Sequence, residues 1–174
     1  ILCEETQAVV RNVKELSRQG YREILYLYDA LTYSGCSKIA GYRQGLCGCG
    51  LPFCEELLVR VEKSLVSAQA TVEQMLESGT PFSAVMASED VIAVGAMKAL
   101  DKRKTSMPVI GFNNSILAEC ATPALTSVDN RLSELCTTAA DMLPDILSGK
   151  EVPQKVTFPA RLVERDTFSV SQNG

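Results

Sequence analysis

Two short apolar runs in this chain end in polar residues suited to holding a small molecule. Ala84-Val85-Met86 runs into Ser88-Glu89-Asp90, and Val109-Ile110-Gly111-Phe112 runs into Asn113-Asn114. Carboxylates, a hydroxyl and amides offer hydrogen bonds of both polarities, and in a parallel α/β sheet the carboxyl ends of the strands line the crevice where ligands bind. Taken one at a time, each turn also reads as a helix cap, which uses the same residue types. Catalysis finds little equipment. There is no histidine, no Gly-x-Ser-x-Gly elbow and no Gly-x-x-x-x-Gly-Lys phosphate loop. Gly45-Leu-Cys-Gly-Cys-Gly is rich in glycine but follows a helical pattern, whereas a dinucleotide fingerprint follows a strand. Cys47, Cys49 and Cys54 form one thiol cluster. Without histidine a zinc site there needs four thiolates, or three with a carboxylate, so free thiols are the simpler expectation. The sequence is therefore read as that of a binding protein, not an enzyme, with no metal and no cofactor.

The elements around these turns repeat one grammar. Ala93, Ala96, Met97 and Leu100 fall at i, i+3, i+4 and i+7, a helix with one buried stripe between the two strands. Such a crossover is right-handed in nearly all cases, which brings both polar turns out on one edge of the sheet. Upstream, Val9, Val10, Val13 and Leu16 mark a helix that stops at Gly20, where a left-handed cap suits glycine. Ile24 to Tyr28 reads as a buried strand, Lys38 to Leu46 as a helix, and Leu57 to Val61 as a strand. Ser67 caps a helix carrying Ala68, Val72, Met75 and Leu76 that ends at Gly79. The alternation predicts an α/β fold with a doubly wound, Rossmann-like parallel sheet. After Val128 the pattern changes: Leu132, Leu135, Cys136, Ala139, Leu143, Ile146 and Leu147 make one amphipathic helix over Arg131 to Gly149. Pro144 inside it removes the bond to the carbonyl of Ala140, at a cost of about 3 kcal/mol, and predicts a kink or a break. Phe158 to Val163 supplies a last strand.

Composition narrows the partners. The 174 residues, 46% hydrophobic and 22% charged, suit one globular core, or one domain plus a fragment. Lys+Arg 17 against Asp+Glu 21 gives a net charge of -4 with no basic stripe, a poor footing for nucleic acid. No apolar run approaches the roughly 20 residues of a membrane span, and the opening Ile-Leu-Cys-Glu-Glu lacks a basic leader. Seven cysteines, an odd count without paired spacing, suit a reducing compartment, so a cytoplasmic location is expected.

Ser88-Glu-Asp-Val-Ile-Ala-Val-Gly-Ala-Met-Lys-Ala-Leu, then Pro108-Val-Ile-Gly-Phe-Asn-Asn, then Thr122-Pro-Ala-Leu-Thr-Ser-Val-Asp resemble, in order, motifs of the effector-binding core of LacI/GalR-type bacterial transcription regulators. Glu4-Glu5-Thr-Gln-Ala, Gly20-Tyr-Arg-Glu-Ile, Lys38-Ile-Ala-Gly-Tyr-Arg-Gln-Gly-Leu and Leu162-Val-Glu-Arg-Asp-Thr extend the likeness over nearly the whole chain. The resemblance implies a periplasmic-binding-protein-like C-terminal subdomain over residues 6–128 and 156–168, with 1–5 and 129–155 a remnant of the N-terminal subdomain. It implies a small-molecule effector (a sugar, a sugar phosphate or another polar metabolite), a homodimer, no membrane, and DNA contact only through a helix-turn-helix headpiece that this chain lacks. The family's ligand positions fall on Ser34, Lys38, Lys63, Glu89, Asp90 and Asn113, with Glu4 at the first crossover. Several depart from the family's usual types: Lys38 stands for arginine, Lys63 for an aromatic, Glu89 for asparagine and Asn113 for aspartate. Two lysines and an amide suit an anionic effector, and Glu89 opposes one. The plainer reading leaves both lysines as solvated surface residues, or one of them paired with Glu89, and makes Asp90 a helix N-cap. A solute-binding protein of a sugar transporter is the rival class, since it shares the fold and the cleft.

Overall fold

The computed structural model describes residues 1–170. After a two-residue strand β1 (Leu2–Cys3) the chain alternates helix and strand: α1 (Glu5–Arg18), β2 (Ile24–Tyr28), α2 (Tyr33–Gly48), β3 (Leu58–Arg60), α3 (Leu65–Glu77), β4 (Ala84–Ala87), α4 (Asp90–Lys102), β5 (Val109–Phe112), α5 (Ile116–Cys120) and β6 (Thr126–Asp129). Then come α6 (Leu132–Leu147), β7 (Thr157–Phe158) and β8 (Arg161–Val163). The main sheet has the order β3-β2-β4-β5-β6-β8, parallel from β3 to β6, with β8 antiparallel at the edge. Because β3 lies on one side of β2 and β4 on the other, the winding reverses between β2 and β4. That switch point opens a crevice above the carboxyl ends of the two strands.

Period-two alternation explains the two layers. Ile24 and Tyr26 of β2, Met86 of β4, and Ile110 and Phe112 of β5 pack with Val9, Val13 and Leu16 of α1 and with Tyr42 and Leu46 of α2. Leu25, Leu27, Val85, Ala87 and Val109 face the opposite way, onto Ala68 and Val72 of α3 and Ile92, Ala96 and Leu100 of α4. The two helices on the first face pack closely because α2 carries glycine at the crossing. A Cβ at Gly41 would lie 2.5 Å from the Thr6 carbonyl oxygen, and one at Gly45 would lie 2.7 Å from Val13 Cβ. Those glycines blunt the apolar stripe of α2, and the helix begins at Tyr33, five residues before the start that the sequence pattern predicts.

Three local expectations are corrected. Ser64, not Ser67, caps α3: its hydroxyl oxygen accepts from the Ser67 N–H at 3.1 Å, while Ser67 Oγ accepts from the N–H of Glu62. The predicted strand over Phe158 to Val163 divides at Pro159-Ala160, so that β7 pairs with β1 in a separate two-stranded parallel sheet and β8 joins the main one. Proline has no N–H to offer a ladder, which makes it a natural point of division. Pro144 does not break α6, which runs unbroken to Leu147. It stands three residues before the helix end, where little of the ladder remains to be disturbed. Helix α6 buries no residue, and Leu132, Leu143, Ile146 and Leu147 are exposed, so its apolar stripe does not pack on the main sheet.

Candidate functional site

Parallel strands deliver their following residues to one edge. Asp29 follows β2, Lys63 follows β3, Ser88 and Glu89 follow β4, Asn113 follows β5 and Asn130 follows β6. The switch point is fastened first: the Ser88 N–H donates to Leu27 O at 2.8 Å, and Ser88 Oγ donates to Asp29 Oδ1 at 2.9 Å. Lys38, on the second turn of α2, reaches across to the same place. Its Nζ donates to Ser88 O at 3.0 Å, lies 4.0 Å from the centre of the Phe112 ring, and stands 3.8 Å from Glu5 Oε1 and 3.9 Å from Glu89 Oε1. Only 3% of Lys38 is exposed, which corrects the expectation of a solvated lysine. Burial pushes its ammonium below the usual lysine range, while Glu5, Glu89 and Asp29 oppose the shift.

Glu89 is the centre of the cluster. It occupies the N-cap position of α4 in an extended conformation, but its side chain makes no capping bond. Instead Oε2 accepts from Lys63 Nζ and from Asn113 Nδ2, both at 2.7 Å. Asn113, held at φ 97, passes the chain on: its Oδ1 accepts from Asn130 Nδ2 at 3.0 Å. Beside these two asparagines opens a cavity of about 540 Å³ whose wall continues to Arg131 and Glu134. Beneath the cluster the Tyr26 hydroxyl is fully buried, and burial, reinforced by Glu5, Asp29 and Glu89, raises its pKa far above the usual phenol range.

Of the residues singled out in the sequence, the structure brings Ser34, Lys38, Lys63, Glu89 and Asn113 together. Ser34 joins through Glu5, whose Oε1 accepts from its hydroxyl at 2.8 Å. Glu4 is exposed, and its backbone N–H donates to Phe158 O, so the carboxylate that enters the cluster is that of its neighbour. Asp90 is neither an N-cap nor part of the cluster. It is buried in the wall below, where Oδ2 accepts from the Ser115 N–H and hydroxyl at 2.7 and 2.8 Å and Oδ1 accepts from Ser127 Oγ at 2.5 Å. Sequence reasoning missed Glu5, Asp29 and Asn130. Asp29 was accessible to the rule that found Glu89 and Asn113, since it directly follows the apolar strand β2, whereas Asn130 follows β6, Thr-Ser-Val-Asp, which carries no apolar run. Among the described residues no group of three or more cysteines, aspartates or glutamates is placed to hold a metal, and Cys47, Cys49 and Cys54 are free thiols.

A doubly wound sheet with polar side chains gathered over its switch point defines an α/β ligand-binding domain. The chain belongs to the periplasmic binding protein-like domain family, whose model matches residues 13–168. It is 36% identical over 170 residues to an HTH-type transcriptional regulator of Lachnoclostridium phytofermentans, covering 95% of this chain and 51% of that protein. It is 33% identical over 173 residues to the HTH-type transcriptional regulator AscG of Escherichia coli strain K12, covering 97% of this chain and 52% of the relative. Among solved structures, a sugar-binding transcriptional regulator of the LacI family from Escherichia coli, complexed with phosphate, superposes with a TM-score of 0.87 at 32% identity, over 97% of this chain and 63% of that one. The LacI/GalR likeness of the sequence motifs is thus borne out. The chain spans about half the length of the curated relatives it matches.

Proposed function

We propose that this chain is the effector-sensing part of a LacI/GalR-like bacterial transcription regulator, and that it holds a small polar metabolite over the carboxyl edge of the sheet. The observation that carries this reading is the convergence of Lys38, Glu89, Lys63 and Asn113, from four separate elements, at the switch point. Sensing follows from unequal affinity: a ligand shifts a regulator between states only if it binds one of them more tightly. Residues 6–128 and 156–168 form the ligand-holding subdomain in this reading, with the β7 portion of the second segment siding with β1. Residues 1–5 and 129–155 belong to the other wall of the cleft. DNA is contacted by a headpiece outside this chain, the assembly is a homodimer, and the setting is the cytoplasm. The rival, a transporter's solute-binding protein, shares the fold, but the relatives are transcriptional regulators.

Thermal unfolding against a panel of sugars and sugar derivatives tests the reading. A ligand specific for the folded state at about 100 times its Kd adds roughly 2.7 kcal/mol. Asn113→Ala, which removes the bridge between Glu89 and Asn130, is expected to abolish the gain. A full gain in that variant would place the ligand elsewhere.

A further inference from the structure

Resting on that reading of the cleft, the side-chain pairing says which chemical class the ligand belongs to. Both lysines already face a carboxylate. Lys38 is enclosed, bonded to Ser88 O, laid on Phe112 and set between Glu5 and Glu89. Lys63 gives one of its three N–H donors to Glu89 Oε2. The two ends of that ion pair differ in environment, with 56% of the Lys63 side chain exposed against 15% for Glu89. Lys63 is therefore a tethered cation reaching in from the rim, and Glu89 is the fixed, largely buried acceptor that it satisfies.

We propose that the ligand is a polyhydroxylated molecule bearing an ammonium group, an amino sugar in class, whose ammonium takes Glu89 over from Lys63. The exchange is like for like. Glu89 stays paired with a cation, while Lys63 returns to water at little cost because half-exposed ion pairs contribute little. An anionic ligand faces the opposite balance: on Lys63 it sits beside the Glu89 carboxylate, and if it draws Lys63 away it leaves Glu89 only the more distant cation Lys38, at 3.9 Å. A second feature asks for donors on the ligand. Asn130 Oδ1, next along the chain Glu89–Asn113–Asn130, is buried without a donor among the described residues. The adjoining cavity of about 540 Å³ lies within the usual range for small-molecule sites.

Calorimetric titration of the 174-residue chain with matched probes tests this: glucose, glucosamine and glucose 6-phosphate, and the same trio built on galactose and on mannose. In at least one trio the amino sugar is expected to bind about tenfold or more tighter than the neutral sugar, a gap large enough to resolve cleanly, with the sugar phosphate weakest. Lys63→Met removes the internal competitor and should tighten the amino sugar several-fold. Glu89→Gln should erase the preference for the amino sugar over the neutral one. Equal affinity for neutral and amino sugars, or tighter binding of a sugar phosphate, overturns the ammonium assignment and leaves the effector-binding reading standing. No heat from any probe, with the side-chain amide NMR signals of Asn113 and Asn130 unmoved, overturns both.

Discussion

Replacing Asp90 with alanine tests whether the cleft is held open by the wall beneath it. Asp90 is 2% exposed and accepts three hydrogen bonds, two from Ser115 and one from Ser127, which is itself fully buried. Hydrogen bonds to a charged group contribute about 1.5–3 kcal/mol each, and a buried donor left unpaired costs about 1–3 kcal/mol. Water can reach Ser115, which is only partly buried, so its two bonds count at the low end. The expected loss is about 3–5 kcal/mol, read as a lower urea midpoint at unchanged slope, or as a fall of roughly 10 °C in Tm for a chain of this length. Asp90→Asn should lose less, because its amide oxygen still accepts from Ser127 while its NH2 confronts the Ser115 N–H. Gly111 supplies a cross-check, since a Cβ there would collide with Asp90 Oδ1. Gly111→Ala should therefore destabilise the wild type more than it destabilises Asp90→Ala. A loss below about 1 kcal/mol for Asp90→Ala, or strict additivity of the pair, would refute the argument that this carboxylate pins the β5 and β6 ends.

The Cys3 thiol is pushed up to about 11 from 9.0, first by burial and then by Glu5. At pH 8 it should alkylate more slowly than the exposed Cys36 or Cys120, as peptide mapping will show; its share of stability is intact below pH 9 and is lost as the pH rises through 11. Lys38→Met should destabilise the unliganded protein by about 1–3 kcal/mol, because Ser88 O loses its donor and two carboxylates lose a neighbouring cation. Since burial lowers the folded-state pKa of Lys38, the wild type should gain on this variant as the pH rises towards 10.5; a gap that narrows over that window contradicts the assignment. The exposed stripe of α6, with Leu132, Leu143, Ile146 and Leu147 in water, predicts concentration-dependent self-association that a Leu143→Glu, Ile146→Glu pair reduces. Sedimentation of a strict monomer at high concentration would sink it.

Most of the layering was legible because apolar runs such as Ile24 to Tyr28 and the stripe Ala93, Ala96, Met97, Leu100 carry their periods openly. What failed to show was set by partners distant in sequence. Phe158 to Val163 looks like one strand, yet β1 and β6 claim different halves of it. Ser64 and Ser67 are equal as cap candidates until the backbone angle at Ser64, φ -145 and ψ 149, selects it. Lys38 reads as a surface residue because lysines rarely go inside unpaired. Its burial depends on Glu5, Glu89 and Phe112 arriving from three other elements. Glu5 was missed by one position beside Glu4, since the pattern marks the turn and only the start of α1 decides which carboxylate faces inward.

The turn Ser88-Glu89-Asp90 shows how a strand's end can serve stability and binding at once. Glu89 is extended, with φ -147 and ψ 146, and Asp90 is the first residue of α4. Side chains on an extended backbone alternate sides, so two neighbouring carboxylates go opposite ways. Asp90 enters the face shared with α4 and α5, where three donors hold it, and Glu89 rises into the face shared with α2, beside Lys38. A residue that spends its carboxylate on the wall is unavailable to a ligand. A residue at an N-cap position that makes no side-chain capping bond leaves one available. Asp90 thus ties the wall together through Ser115 and Ser127, while Glu89, with no capping bond to make, places its carboxylate in the crevice.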